Sequence, residues 1–156
     1  MNIHLIEICD KSPDWAKSGF LNYSKRIPKN IKFHLKEVRP GKRSKNVDLK
    51  KILFEEGQRM ISMIPKGSLI IKLEIKGQKW TTKDLSLNLQ NWMNNSKDIV
   101  FLVGGPEGLP PECKEISPIS WSLSTLTLPH AIVKIFIAEQ IYRAWSILQN
   151  HPYHRE

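Results

Sequence analysis

Five consecutive apolar residues, Ile99-Val100-Phe101-Leu102-Val103, run directly into Gly104-Gly105-Pro106-Glu107-Gly108. A strand that is apolar at every position keeps no face for water, so it belongs in a sheet covered on both sides, and sheets covered in this way are mainly parallel. Parallel strands need long crossovers, and the remaining pattern supplies them. Ile3 to Cys9 reads as a strand. Ser12-Pro13 reads as a helix start, with Ser12 as N-cap and Pro13 at the first helical position. Ala16, Phe20, Tyr23 and Ile27 then place one apolar face on a helix that stops before Pro28. Ile31 to Val38 predicts a second strand and Asn46 to Ile64 a helix, weakened at Gly57. Ser68 to Glu74 predicts a third strand. Thr81-Thr82-Lys83-Asp84 has the form of a capping box ahead of Leu85, Leu89, Trp92 and Met93. The expectation is an α/β fold: a single domain over residues 1–156, its mainly parallel sheet flanked by helices.

In such sheets ligands settle beyond the carboxyl ends of the strands, which is where Gly104-Gly105 falls. Adjacent glycines let a ligand approach main-chain groups, although a plain structural turn explains them equally well. The Gly-Lys-Ser/Thr ending of a P-loop and the glycine spacing of a dinucleotide fingerprint are both missing. Trp121-Ser122-Leu123-Ser124-Thr125-Leu126-Thr127-Leu128-Pro129-His130 is richer in leucine and hydroxyls than a surface loop. It fits a short strand, or an ordered loop whose main chain reads an adenine edge while leucines cover the ring. After Pro129 a long helix is apolar on two faces, which calls for contacts on two sides, within the domain or with another subunit.

Twenty-four Lys and Arg against fifteen Asp and Glu give a formal charge of +9, so the expected partner is polyanionic, with nucleic acid ahead of an anionic membrane. The densest basic cluster is Arg39-Pro40-Gly41-Lys42-Arg43-Ser44-Lys45, either a solvated loop or one that contacts phosphates. Glu139 and Arg143 have the spacing of a helical ion pair. The final His151-Pro152-Tyr153-His154-Arg155 suits recognition of a base and its phosphates better than it suits a metal, because no further ligands stand at metal spacing. No metal is expected. Cys9 and Cys113 show no ligand or redox spacing and read as ordinary thiols. No apolar run reaches membrane-spanning length and no leader pattern is visible, so a cytoplasmic protein away from membranes is expected.

Taken together, these segments resemble the pseudouridine N3-methyltransferases of the large ribosomal subunit, small members of the SPOUT superfamily, along the whole chain. The likeness rests on Gly104 to Gly108, on Ser122 to His130, on Tyr142-Arg143-Ala144-Trp145 and on His151 to Arg155, with Gly41-Lys42-Arg43 and Pro13-Asp14-Trp15 as lesser signs. It implies a deep trefoil knot near the C-terminus, which periodicity does not give and general topology rules disfavour. It also implies a homodimer packed through the knot regions, S-adenosylmethionine as cofactor, and a pseudouridine of 23S ribosomal RNA, in the large subunit or assembled ribosome, as methyl acceptor. By the same likeness the cofactor contacts Leu73, Gly104, Leu123, Ser124, Thr125, Leu126, Thr127 and Leu128, largely through main-chain atoms. Thr125 departs from the alanine expected there. His154, Tyr153 and Arg143 become the candidates for catalysis, and Lys42, Arg43, Lys45, His130 and Arg155 those for RNA contact. The tail of one subunit is expected to complete the pocket of the other. Two other readings stand beside this one: a SPOUT enzyme acting on another ribosomal or transfer RNA nucleotide, and a noncatalytic RNA-binding assembly factor. Three intact segments argue against the second.

Overall fold

The computed structural model describes residues 1–155. Its centre is a five-stranded sheet of β1 (Asn2–Ile8), β2 (Lys32–Val38), β3 (Leu69–Lys79), β4 (Ile99–Val103) and β5 (Ile119–Ser122) in the order β2-β1-β4-β3-β5. Every pairing is parallel. The helices are α1 (Asp14–Ser24), α2 (Leu49–Ser62), α3 (Thr82–Asn94), the short α4 (Pro111–Glu115) and α5 (His130–Leu148).

β4 lies in the middle and all five of its residues are buried, as a fully apolar strand requires. Its alternate side chains divide between two cores. Ile99, Phe101 and Val103, with Ile3 and Leu5 of β1, pack against Phe20 of α1, Leu85, Leu89 and Trp92 of α3, and Val133, Ile137 and Ile141 of α5. Val100 and Leu102, with Ile6 and Ile8, pack against Met60 of α2 and against Leu109 and Cys113 at α4. The two apolar faces of α5 are used within the chain, one against α1 and the other against α3. No helix among the described residues is long and apolar enough to cross a membrane.

Most predicted elements fall within a few residues of those observed, and the exceptions have local causes. Ser12 is not an N-cap: Pro13 takes that position without a capping side chain, while Ser12 is buried and hydrogen-bonds to Lys134 and Glu37. A buried charge needs a partner more than an exposed helix end does, because water satisfies the helix end. α1 stops at Ser24, short of Ile27, which is buried from the following loop. α2 starts later than Asn46, at Leu49, because the Asp48 carboxylate accepts from Lys50 N at 3.0 Å. The capping box at α3 forms in both directions: Asp84 N donates to Thr81 Oγ1 at 3.1 Å and Thr81 N donates to Asp84 Oδ2 at 2.8 Å.

β3 continues past Glu74 because it breaks register after Leu73 and pairs with β5 again at Gln78. The break throws residues 74–77 out of the ladder. Gly77 is required there, since a Cβ would lie 2.7 Å from the Trp121 carbonyl carbon.

Candidate active site

The carboxyl ends of β3 and β4 open into a cleft of about 670 Å³, within the range that holds cofactor-sized molecules. Three segments wall it. β3 contributes Leu73, the last residue before the break, and the displaced Glu74, Ile75 and Lys76; the turn after β4 contributes Val103, Gly104 and Gly105; and the segment leading into α5 contributes Leu123, Ser124, Leu126, Thr127, Leu128 and the first helical residue, His130. The sequence therefore brings both of its unusual loops to one place. Leu126 is 71% exposed, an aliphatic side chain left at the rim with no protein surface over it.

Each wall has a local physical origin. The glycine turn closes on itself through Gly108 N donating to Gly105 O at 3.0 Å, and Gly108 has φ +85°, a conformation that favours glycine. A Cβ on Gly104 would lie 2.2 Å from the carbonyl carbon of Gly108. The glycine at 104 is thus demanded by the turn's own backbone, before any ligand is considered. In the leucine segment, Ser124 Oγ accepts from Leu126 N at 2.9 Å and Ser122 Oγ donates to Ser124 O at 3.1 Å. These bonds set the direction of the main chain along the cleft. Thr125 is exposed and does not line it.

His130 is the first residue of α5, and its Nδ1 is buried with no partner among the described residues. Burial, followed by the charge of Lys134, lowers its pKa below the ordinary histidine value, so the ring meets the cleft neutral near pH 7. Lys134 follows one turn later and is fully buried. Its Nζ lies 2.5 Å from Glu7 Oε1 and 3.5 Å from Glu37 Oε1 and donates to Ser12. Burial pushes the Glu7 carboxyl up, although Lys134 opposes this. Donor atoms of Glu7, Cys9 and Glu37 lie within 4.8 Å of one another, but the Lys134 ammonium stands beside both carboxylates and supplies the positive charge. Sequence patterning gave Lys134 no role, since a lysine on an apolar helix face looks like a polar interruption.

The candidates at the other end of α5 form a separate group. Arg143 Nε donates to Glu139 Oε1 at 2.8 Å and Nη2 does so at 2.5 Å, the helical pair that the spacing allows. The Tyr153 hydroxyl donates to the same oxygen at 3.0 Å. Its ring lies 4.8 Å from the Arg143 guanidinium and 4.7 Å from the Tyr142 ring, while His154 Nδ1 is 3.4 Å from Arg143 Nη1. The Tyr153 phenol is pushed up to about 12 by burial and by Glu139, so it keeps its proton at neutral pH. Arg155 is exposed. Arg143 stands thirteen positions after His130 on α5, about 20 Å of helix at 1.5 Å per residue. One chain does not bring the tail group and the cleft together.

Lys42 and Lys45 are exposed on the loop between β2 and α2. Arg43 is instead held by Glu56 and Glu107, and these carboxylates, Glu107 before Glu56, raise its pKa. The sequence also gave no notice of Glu74, Ile75 and Lys76 at the cleft. The register break that places them there, with Gly77 packed against the Trp121 backbone, is visible only once β5 is paired.

The model of a family described as "Predicted SPOUT methyltransferase" matches residues 1–154. The chain belongs to the SPOUT methyltransferase family. Among solved structures, the fold is similar to that of a methylase family protein from Neisseria gonorrhoeae, with 13% sequence identity, a TM-score of 0.54, and coverage of 99% of this chain and 86% of that one. At that identity the likeness bears on the fold alone. SPOUT methyltransferases as a family use S-adenosylmethionine, and the cleft fits such a molecule. It offers aliphatic side chains for a flat base, main-chain groups for its edge and, at His130, a buried ring nitrogen with no partner among the described residues.

Proposed function

We propose that this SPOUT methyltransferase transfers the methyl group of S-adenosylmethionine to N3 of a pseudouridine in 23S ribosomal RNA, working as a knotted homodimer. The observation that carries the reading is the meeting of the glycine turn and the leucine segment in one open cleft at the carboxyl ends of β3 and β4. These are the segments on which the resemblance to the large-subunit pseudouridine enzymes rests, and the family match runs through both.

Leu73, Gly104 and the main chain of Leu123 to Leu128 would hold the cofactor. When bound, it supplies a methyl group on a sulfonium, already activated for transfer. The work of the chain is then to orient, to exclude water and to manage a proton. The acceptor nitrogen loses a proton on methylation, so a base or a cationic surrounding must face it. Neutral His130 stands in the cleft, whereas His154, Arg143 and Arg155 stand at the far end of α5. For the tail group to reach the reacting atoms, it must come from a second subunit, and this separation supports a dimer in which each tail completes its partner's cleft. The trefoil knot follows from the family reading. Exposed Lys42, Lys45 and Arg155 are the phosphate contacts of this proposal, consistent with the charge of +9.

The deciding experiment adds purified protein and labelled S-adenosylmethionine to ribosomes and to free RNA from cells lacking the protein, then maps the modified nucleotide by mass spectrometry. A methyl group on N3 of a 23S pseudouridine is the expected outcome. Methylation of another ribosomal or transfer RNA nucleotide overturns the substrate assignment, and absence of saturable cofactor uptake in calorimetry overturns the enzyme.

A further inference from the structure

We infer that Arg43 is a positioning residue of the cofactor cleft, a clamp that holds the glycine turn in place, and that it makes no contact with RNA phosphate. The inference rests on the reading of the cleft as the S-adenosylmethionine site. A guanidinium has five N–H donors, and in this structure all five are engaged. Nε donates to Glu107 Oε1 at 3.3 Å. Nη1 donates to Gly41 O at 2.8 Å and to Glu56 Oε1. Nη2 donates to Glu56 Oε2 at 3.1 Å and to Glu107 Oε2 at 2.9 Å. None is left for a phosphate oxygen, and two carboxylates around one guanidinium leave the spot formally negative.

The two carboxylates differ in setting, and that difference gives the clamp its direction. The Glu56 side chain is fully buried in α2, while that of Glu107 is 29% exposed in the glycine turn. Glu56 also accepts from Gly41 N at 2.9 Å, so the basic loop is tied to α2 at two points. A buried carboxylate that loses its cation is left with an uncompensated charge, so Glu56 holds Arg43 firmly and Arg43 holds the more exposed Glu107. Glu107 belongs to the turn whose Gly104 and Gly105 line the cleft. A Cβ built on Gly105 would come within 3.8 Å of Arg43 Nη2. The planar fork is what permits simultaneous engagement of both acids, and an ammonium does not reproduce it. Lys42 and Lys45 on the same loop remain the groups that meet RNA, so the RNA-facing loop and the cofactor-facing turn are joined through one side chain.

The test measures two affinities in the full-length protein, that for S-adenosylmethionine by calorimetry and that for unmethylated ribosomes as a function of salt. Arg43→Ala is expected to weaken the cofactor about tenfold, the size of a lost charge-assisted contact, and to leave the ribosome salt slope unchanged. Glu107→Gln breaks only the exposed half of the clamp and is expected to weaken the cofactor about threefold. It decides the matter if Arg43→Ala fails to fold because Glu56 is left unpaired. The double variant Lys42→Ala, Lys45→Ala is expected to show the reverse: unchanged cofactor affinity and a salt slope smaller by about two. Cofactor affinity within twofold of the starting protein in both Arg43→Ala and Glu107→Gln overturns the inference, as does a salt slope reduced by about one in Arg43→Ala. If the unaltered protein takes up no cofactor, the reading of the cleft falls as well; if it binds normally and the variants do too, only the clamp falls.

Discussion

The two ends of α5 face opposite chemical problems. At its start, His130 borders an open cleft of leucines and main-chain groups and keeps a buried nitrogen without a partner among the described residues. At its end, Arg143, Glu139, Tyr153 and His154 satisfy one another in a compact set of hydrogen bonds and ring contacts. One end is prepared to receive a ligand, and the other is already satisfied. Residues that all look functional in the sequence are therefore held about 20 Å apart on a single rigid element, so each chain carries both groups and brings them together at neither end.

The largest expected effect breaks the anchor that keeps the cleft end where it is. Lys134→Ala leaves Glu7 buried without a cation and is expected to cost about 3–5 kcal/mol of stability, measured by urea unfolding. Glu7→Gln combined with Lys134→Met removes both charges and is expected to recover most of that loss. If Lys134→Ala unfolds at the same urea concentration as the starting protein, the cluster is not an anchor. Next in size is the loss of the tail. Truncation after Asn150 is expected to lower methyl transfer by about a hundredfold or more, the scale of losing an aligned catalytic group, while cofactor affinity stays the same. Mixing truncated subunits with subunits carrying Gly104→Ala should restore part of the activity, because one of the two clefts then has an intact turn and a partner's intact tail. Absence of any recovery would mean that the tail acts on its own chain.

A pH experiment sharpens the contrast further with a smaller effect. The folded-state pKa of His130 is depressed by burial and by Lys134. The neutral ring therefore contributes stability that is fully present above the unfolded value near 6.5 and is lost as pH falls through the depressed one. The same proton would add a positive charge to the cleft proposed for a cationic cofactor, so cofactor affinity is expected to fall as the medium is acidified. His130→Asn should flatten that affinity profile. His4, depressed by burial and by Lys36 near the amino end of β1, provides the control: His4→Asn should change acid stability and leave the affinity profile alone.

How much of this was legible in the sequence depends on the range of the interactions involved. The apolar run of β4, the capping box at Thr81 and the two-faced α5 are local patterns, and they gave the elements and the sheet type. The cleft was legible because two unusual loops each follow a strand that ends on the same side. The quartet of buried Ser12, Glu7 and Lys134 with half-buried Glu37 was not, since its members are up to 127 positions apart and each has a commoner local meaning. Ser12 before Pro13 looks like a helix cap, and Lys134 looks like an interruption. The partners of Arg43 were hidden for the same reason. In a basic loop an arginine reads as a phosphate contact, and only the folded chain shows two carboxylates, one 64 residues away, filling its donors.

The smallest expected effects separate main-chain from side-chain contributions within the leucine segment. Thr125 departs from the alanine expected at its position, and it is exposed, outside the cleft lining, with a side chain that makes no hydrogen bond among the described residues. Thr125→Ala is therefore expected to leave cofactor affinity within about twofold, since no buried partner is lost. Its neighbour Ser124 is a polar residue of similar size, but its hydroxyl accepts from Leu126 N at 2.9 Å and thereby helps set the backbone that would read the base edge. Ser124→Ala should cost about 1 kcal/mol, or roughly fivefold in affinity, as one hydrogen bond is lost. If the two substitutions behaved alike, the segment would be binding through something other than a main chain held in place by its own hydroxyls.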